Sequence, residues 1–233
     1  GARTVRLLFL PVLALALASV LRAQPASTAP TPDEQKAIDA AAKAGGKADI
    51  DPKLPAPARV SVKFENATDG MLLSLKKMSA VGAVDAYDAT RCTDKGFAVF
   101  KDVPNLRRLI LSKSEMTPPR VTAIGQCKEL RDLRLPGSGL SDAELASLKK
   151  LARLESLDVS ENPRVTDKGL ATVKTFDRLQ ALYLARTSVS DKGLAELKGL
   201  EGLRTLYLGG TRVTADAADK FAEDMPNLRV VRK

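Results

Sequence analysis

The sequence predicts an α/β fold: a right-handed solenoid of strand–helix units, with a parallel sheet on the concave side and helices on the convex side. Three observations carry this expectation. An apolar landmark recurs at Val81, Leu106, Leu130, Leu154, Leu179, Leu203 and Leu228, at intervals of 25, 24, 24, 25, 24 and 25 residues. Each landmark opens a short alternation of apolar and polar positions, the period of a strand that buries one face. A hydroxyl residue then precedes a helical pattern in every unit, as a helix start requires. Such a period marks a stacked architecture, because one unit buries its apolar side only against its neighbours.

At the start of the chain, Arg3 and Arg6 precede an apolar run from Leu7 to Leu21, which Arg22 closes. As a helix this run would rise about 22 Å, short of a hydrocarbon core of roughly 30 Å. Residues 1–23 read as a signal peptide cut after Ala23, which implies export to a periplasm, a cell surface or the medium. An uncleaved membrane anchor is the alternative. Residues 24–32, rich in Ala and Pro, read as a tether. Thr31-Pro32-Asp33-Glu34 then has the makings of a capped helix start. The helix should run to about Ala44, with Ala37, Ile38, Ala41 and Ala42 on one face and Gly45 ending it. Ala48 to Asp51 should follow as a short strand, so that residues 33–56 cap the array.

Residues 57–233 carry about seven units and a terminal strand. Counting each landmark as position one, apolar residues recur at positions four and six, as in Leu109 and Leu111 or Leu182 and Leu184. A degenerate first unit starts near Pro57, with Val60, Val62, Leu72 and Leu75 in register. Ala86 and Gly82 stand where larger side chains are expected, which predicts loose packing there. Thr68, Thr93, Thr117, Ser141, Thr166, Ser190 and Thr214 are the hydroxyl residues, each placed to cap the following helix. Asp follows at 69, 94, 142, 167 and 191, near the positive end of the helix dipole. Pro118 replaces it once, at a first helical position where no N–H is needed. Ser141 and Glu144 form a capping box. The cap explains both the Asp series and its proline exception, which a calcium ladder does not.

This pattern resembles the leucine-rich repeats of the form L-x-x-L-x-L-x-x-T-x-V-[TS]-D-x-G-L, most closely at Leu154 to Leu170, Leu179 to Leu194 and Leu203 to Ala218. It is similar to the ribonuclease-inhibitor-like subtype shared by F-box-type substrate receptors and exported bacterial leucine-rich repeat proteins. The segment Asp33 to Asp51 is similar to the leader that precedes repeats in the bacterial group. The resemblance implies a binding solenoid, not a catalyst.

Composition points the same way. The 233 residues include no histidine, no tryptophan and two cysteines, with 37 basic and 28 acidic side chains. Triads that use histidine, imidazole-ligated zinc and four-thiolate metal sites are thereby excluded. No cofactor or metal is expected. Without residues 1–23 the balance is 34 basic to 28 acidic, a moderate positive charge.

On the strands, the residues between the buried leucines should face the concave surface. The middle column reads Ser61, Asp85, Ile110, Arg134, Asp158, Tyr183 and Tyr207. Two positions earlier lie Arg59, Ala83, Arg108, Asp132, Ser156, Ala181 and Thr205. Two positions later lie Lys63, Tyr87, Ser112, Pro136, Ser160, Ala185 and Gly209. All three tyrosines fall on this face, and aromatic residues with a polar tip suit protein contacts. Tyr87, Arg108, Arg134, Asp158, Tyr183 and Tyr207 are the expected contacts for a protein or peptide partner. Arg107, Arg108, Arg131 and Arg134 form a basic cluster that Asp132, Glu155 and Asp158 lie close enough to neutralise. Two alternatives remain open: a polyanion binder using those arginines, such as one for acidic polysaccharide or nucleic acid, and a structural envelope component.

Cys92 and Cys127 occupy core columns in different parts of their units, which predicts buried free thiols rather than a bridge. The terminal strand should cover the last unit with Leu228 and Val231, supported by Phe221 and Met225. Arg229, Arg232 and Lys233 should discourage pairing at that edge, giving a monomer. The caps are directly testable by urea unfolding. Thr166→Ala and Ser190→Ala should each destabilise by about 1 kcal/mol, whereas Thr205→Ala should cost much less.

Overall fold

Residues 29–232 are described by a computed structural model. The signal-peptide assignment, residues 24–28 of the tether and Lys233 lie outside the described residues.

The first element, α1 (Pro32–Lys43), opens on the expected capping box. The Thr31 hydroxyl accepts from the Glu34 amide at 3.3 Å, and the Thr31 amide donates to Glu34 Oε2 at 2.7 Å. Ala37 and Ala41 are the buried alanines of the helix. Gly45, at φ +89°, reverses the chain into β1 (Lys47–Ile50), which lies antiparallel to β2 (Val60–Phe64). Arg59 grips buried Glu34 with two bonds of 2.7 Å. That guanidinium is the main reason the Glu34 carboxyl is held down at about 2, so the helix is pinned to the first parallel strand by a full ion pair.

From β3 onward every strand is parallel to the one before. The series is β3 (Val81–Ala86), β4 (Arg108–Leu111), β5 (Asp132–Arg134), β6 (Ser156–Asp158), β7 (Ala181–Tyr183), β8 (Thr205–Tyr207) and β9 (Arg229–Val231). Short helices connect them: α2 (Asp69–Leu73), α3 (Asp94–Phe97), α4 (Pro118–Ile124), α5 (Asp142–Ala146), α6 (Asp167–Val173), α7 (Asp191–Glu196) and α8 (Ala215–Asp224). Leu106, Leu109, Leu111 and their equivalents fill the space between sheet and helices with almost no exposure. Burying each such side chain is worth about 1.5–3 kcal/mol.

Three details of register and packing differ from expectation. In the first unit Ser61 pairs with Ala83 and Lys63 with Asp85, one concave column away from the positions assigned by spacing. The cause is an irregularity between Val60 and Ser61 that leaves Gly82 unpaired. A Cβ there would lie 2.0 Å from the Ala58 carbonyl oxygen, so only glycine permits this approach. Nor is this end loosely packed. Phe64 pairs with Ala86 and supplies the missing volume, and the Phe97 and Phe100 rings meet edge to face at 5.8 Å.

The third difference lies in the last strand. Val230, not Val231, takes the inward position beside Leu206. At the start of β8 the Arg204 and Thr205 amides share one carbonyl, that of Gln180. At β9 only the Arg229 amide reaches Arg204, so one residue fewer advances the alternation by one. Arg232 forms a 2.8 Å ion pair with Asp219.

The helix caps carry an added bond that spacing did not reveal. Asp69 accepts from the amide and hydroxyl of Thr93 at 2.8 and 2.6 Å. Asp142 does the same for Thr166, at 2.8 and 2.7 Å, and Asp167 for Ser190, at 2.7 and 2.6 Å. Asp191 closes the series on Thr214, at 2.7 and 3.0 Å. Each carboxylate thus joins its own helix to the cap of the next unit. Gly96, Gly169 and Gly193 make room for it, since a Cβ at these positions would lie 2.2–2.5 Å from an Asp oxygen. Thr117 departs from the expected role: it makes no cap bond, and its hydroxyl donates to Asp94 instead. Pro118 offers no carboxylate forward, and the Ser141 amide turns to Glu144 at 3.0 Å.

Removing one of these joints should be measurable. Asp167→Ala should destabilise by about 1–3 kcal/mol in urea, because it strips a charged acceptor from partly buried donors. Combined with Ser190→Ala, the costs should be less than additive. Burial pushes the Asp167 carboxyl up, but bonds from Ser190 and the Gly193 amide outweigh it and hold it below its ordinary value. A lowered native pKa stabilises the fold above the unfolded value of about 3.9, and that contribution is lost as pH falls through the folded value. The difference between wild type and Asp167→Ala should therefore be complete at neutral pH and shrink below about pH 4.

Candidate functional site

Parallel pairing in strict register turns one position of the repeat into a row of side chains across the sheet. Arg134, Asp158, Tyr183 and Tyr207 form such a row on β5 to β8. The two tyrosine rings stack with centroids 4.5 Å apart and planes 13° apart. Both side chains stay partly exposed, and small Ala185 and Gly209 follow them along the chain. Arg134 donates to both oxygens of Asp132, at 3.1 and 3.0 Å. Those bonds raise its pKa, and Tyr183 and Asp158 add to the shift through space. Asp158 in turn accepts from the Ser160 amide at 2.9 Å. The row therefore presents a flat aromatic step beside a fixed pair of opposite charges.

Two of the six expected contact residues stand apart from it. Arg108 sits in the neighbouring column, where it forms a 2.9 Å ion pair with Asp51 just beyond β1. Nothing in the sequence signals that partner, which lies 57 residues away. Tyr87 follows β3 and is 57% exposed, with Lys113 Nζ 5.1 Å from its ring centre. Four strand spacings of about 4.8 Å separate its strand from that of Tyr183.

The basic cluster is compensated unevenly. Arg131 pairs with Glu155 and Arg134 with Asp132, as their spacing suggests. Arg108 takes Asp51 instead, and Arg107 has no ion-pair partner among the described residues.

Cys92 and Cys127 are buried and free. Burial pushes the Cys92 thiol up to about 11, with Asp69 adding to the shift, and the Cys127 thiol up to about 12. Neither offers a thiolate at neutral pH. Among the described residues no cluster of three or more Cys, Asp or Glu is placed to hold a metal ion. Among the same residues, no helix is long and apolar enough to cross a membrane.

Repeated strand–helix units on one continuous sheet, parallel from β2 to β9, place the fold in the class of leucine-rich repeat solenoids. Among solved structures the chain is similar to internalin C2 from Listeria monocytogenes, with a TM-score of 0.57 over 87% of this chain and 83% of that one. The two share 19% sequence identity, so the likeness is one of fold. No protein-family model matches the chain, and no curated protein matches it in sequence.

The thiols give a direct check on the core columns. Under native conditions at pH 7 a thiol reagent should label neither cysteine, and after denaturation without reductant it should label both. Finding no free thiol in the denatured sample would mean a disulfide and would contradict the packing described.

Proposed function

We propose that the chain is a non-catalytic interaction module that binds a protein or peptide partner on its concave face. The observation that carries this reading is the Tyr183–Tyr207 stack. Two amphipathic rings already held against each other lose little freedom when a partner covers them. Ala185 and Gly209 leave space beside the rings for a partner's side chain. Arg134 and Asp158, next in the row, offer a donor and an acceptor that set orientation. A structural envelope component with no ligand has no need of this arrangement.

Export belongs to the same proposal. It rests on the basic start, short apolar run and small residue at the cut in residues 1–23.

Capture experiments with immobilised protein lacking residues 1–23 test the face. A partner held by the wild type should be retained at least tenfold less by Tyr183→Ala/Tyr207→Ala, with circular dichroism showing that the variant is folded. Equal retention by the double variant would remove the concave tyrosines from the binding surface.

A further inference from the structure

Where the strands begin, a second surface carries charge that the tyrosine row does not use. Arg107, Arg131, Glu155, Gln180 and Arg204 occupy one position in successive units, each amide bonded to the carbonyl of the one before. Two cavities open along this rim and share Glu155. The first, of about 390 Å³, is lined by Lys53, Arg107, Arg108 and Arg131 with Asp132 and Glu155. The second, of about 480 Å³, adds Arg178 and Arg204.

The carboxylates here are mostly engaged elsewhere. Asp132 is held by Arg134, and Asp51 serves Arg108 with Lys53 also within electrostatic reach. Glu155 is held by Arg131. Among the described residues, Lys53, Arg107, Arg178 and Arg204 form no ion pair, so the rim keeps a positive surplus. Two donors are also left over. The Nε atoms of Arg107 and Arg131 are buried without a hydrogen-bond partner. A buried guanidinium N–H without an acceptor is costly, and a carboxylate is the acceptor whose two oxygens match its fork.

We propose that this rim is an anion-binding surface for an acidic peptide segment, with carboxylates seated in the two cavities on either side of Glu155. Length supports a short segment. Four strand spacings of about 4.8 Å separate Arg107 from Arg204, about 19 Å, which about six extended residues span. Glu155 decides between peptide and polyanion. It stands at the junction of the cavities and repels an unbroken line of phosphates or sulfates, whereas a peptide can place neutral residues over it. The favoured ligand is acidic at both ends and neutral in the middle. This goes beyond the concave-face reading, and partner capture by the tyrosines is a separate readout.

Fluorescence anisotropy tests it with a labelled Glu-Glu-Ser-Ser-Glu-Glu peptide, its Gln-for-Glu counterpart and a hexathymidylate. The protein lacking residues 1–23 should bind the acidic peptide, weaken with added salt, and bind the Gln counterpart at least tenfold less. Arg107→Gln and Arg178→Gln should each weaken acidic-peptide binding several-fold, and Arg107→Lys should restore only part of the loss at the first site, because an ammonium keeps the charge without the fork. Glu155→Gln should favour an all-Glu hexamer over the interrupted peptide. Circular dichroism melts confirm that each variant is folded, and Arg178, which makes no hydrogen bond among the described residues, provides a substitution with little structural cost. Equal binding of the Glu and Gln peptides, or no effect of either arginine substitution, would overturn the proposal. Tighter binding of hexathymidylate than of peptide, with the same arginine dependence, would replace it with a polyanion site.

Discussion

A unit of 24 or 25 residues has one strand and at most ten residues of helix, too little to enclose its own leucines. Its core is therefore closed only by the neighbouring units, and the stacking must be held in register along its whole length. The sheet does this on the concave side through backbone pairing. On the other side the aspartate bonds do it at every junction but the one after Pro118, carrying a helix start into the cap of the following unit. Because both sides are locked, equivalent side chains line up as rows. The tyrosine stack and the arginine rim are consequences of that alignment, since neither is formed within one unit.

Much of this was legible in the sequence because a repeat is its own alignment. Strand positions, the buried leucines, the helix starts and the neighbouring placement of Tyr183 and Tyr207 all follow from counting. What counting missed has a common physical origin. An aspartate in the first turn of a helix has the same spacing whether it answers the helix dipole or reaches the next unit, so the cross-unit bond leaves no separate mark. Irregularities were hidden as well. The unpaired Gly82 displaced the first unit by one column, and the missing residue before Arg229 moved Val230 inward. The pairing of Arg108 with Asp51 joins the leader to the array, where the repeat has no equivalent position to consult.

The two surfaces differ in how they use charge. Along the tyrosine row, Arg134 is already satisfied by Asp132, so little of its charge is left uncompensated. At the rim the positive groups outnumber their partners and lie in concavities with little competing acceptor. A field of this kind speeds encounter with negative segments and fades as salt rises. One face thus offers shape, the other attraction.

The joint between units also has a direction. Each typical unit hands a carboxylate forward and offers a hydroxyl backward, with a glycine or another small residue beside it. A unit with both halves can be copied in tandem without altering either neighbour, and the array can lengthen by simple duplication. The Thr117 unit breaks this symmetry. Its hydroxyl donates to Asp94, and Arg120, standing where Gly96 and Gly169 stand in other units, donates to the same carboxylate at 2.8 Å. Pro118 then has nothing to pass on. The unit after it is self-sufficient, with Glu144 serving its own Ser141. That boundary is where a stretch of foreign repeats could be spliced in or removed with no carboxylate left stranded on either side.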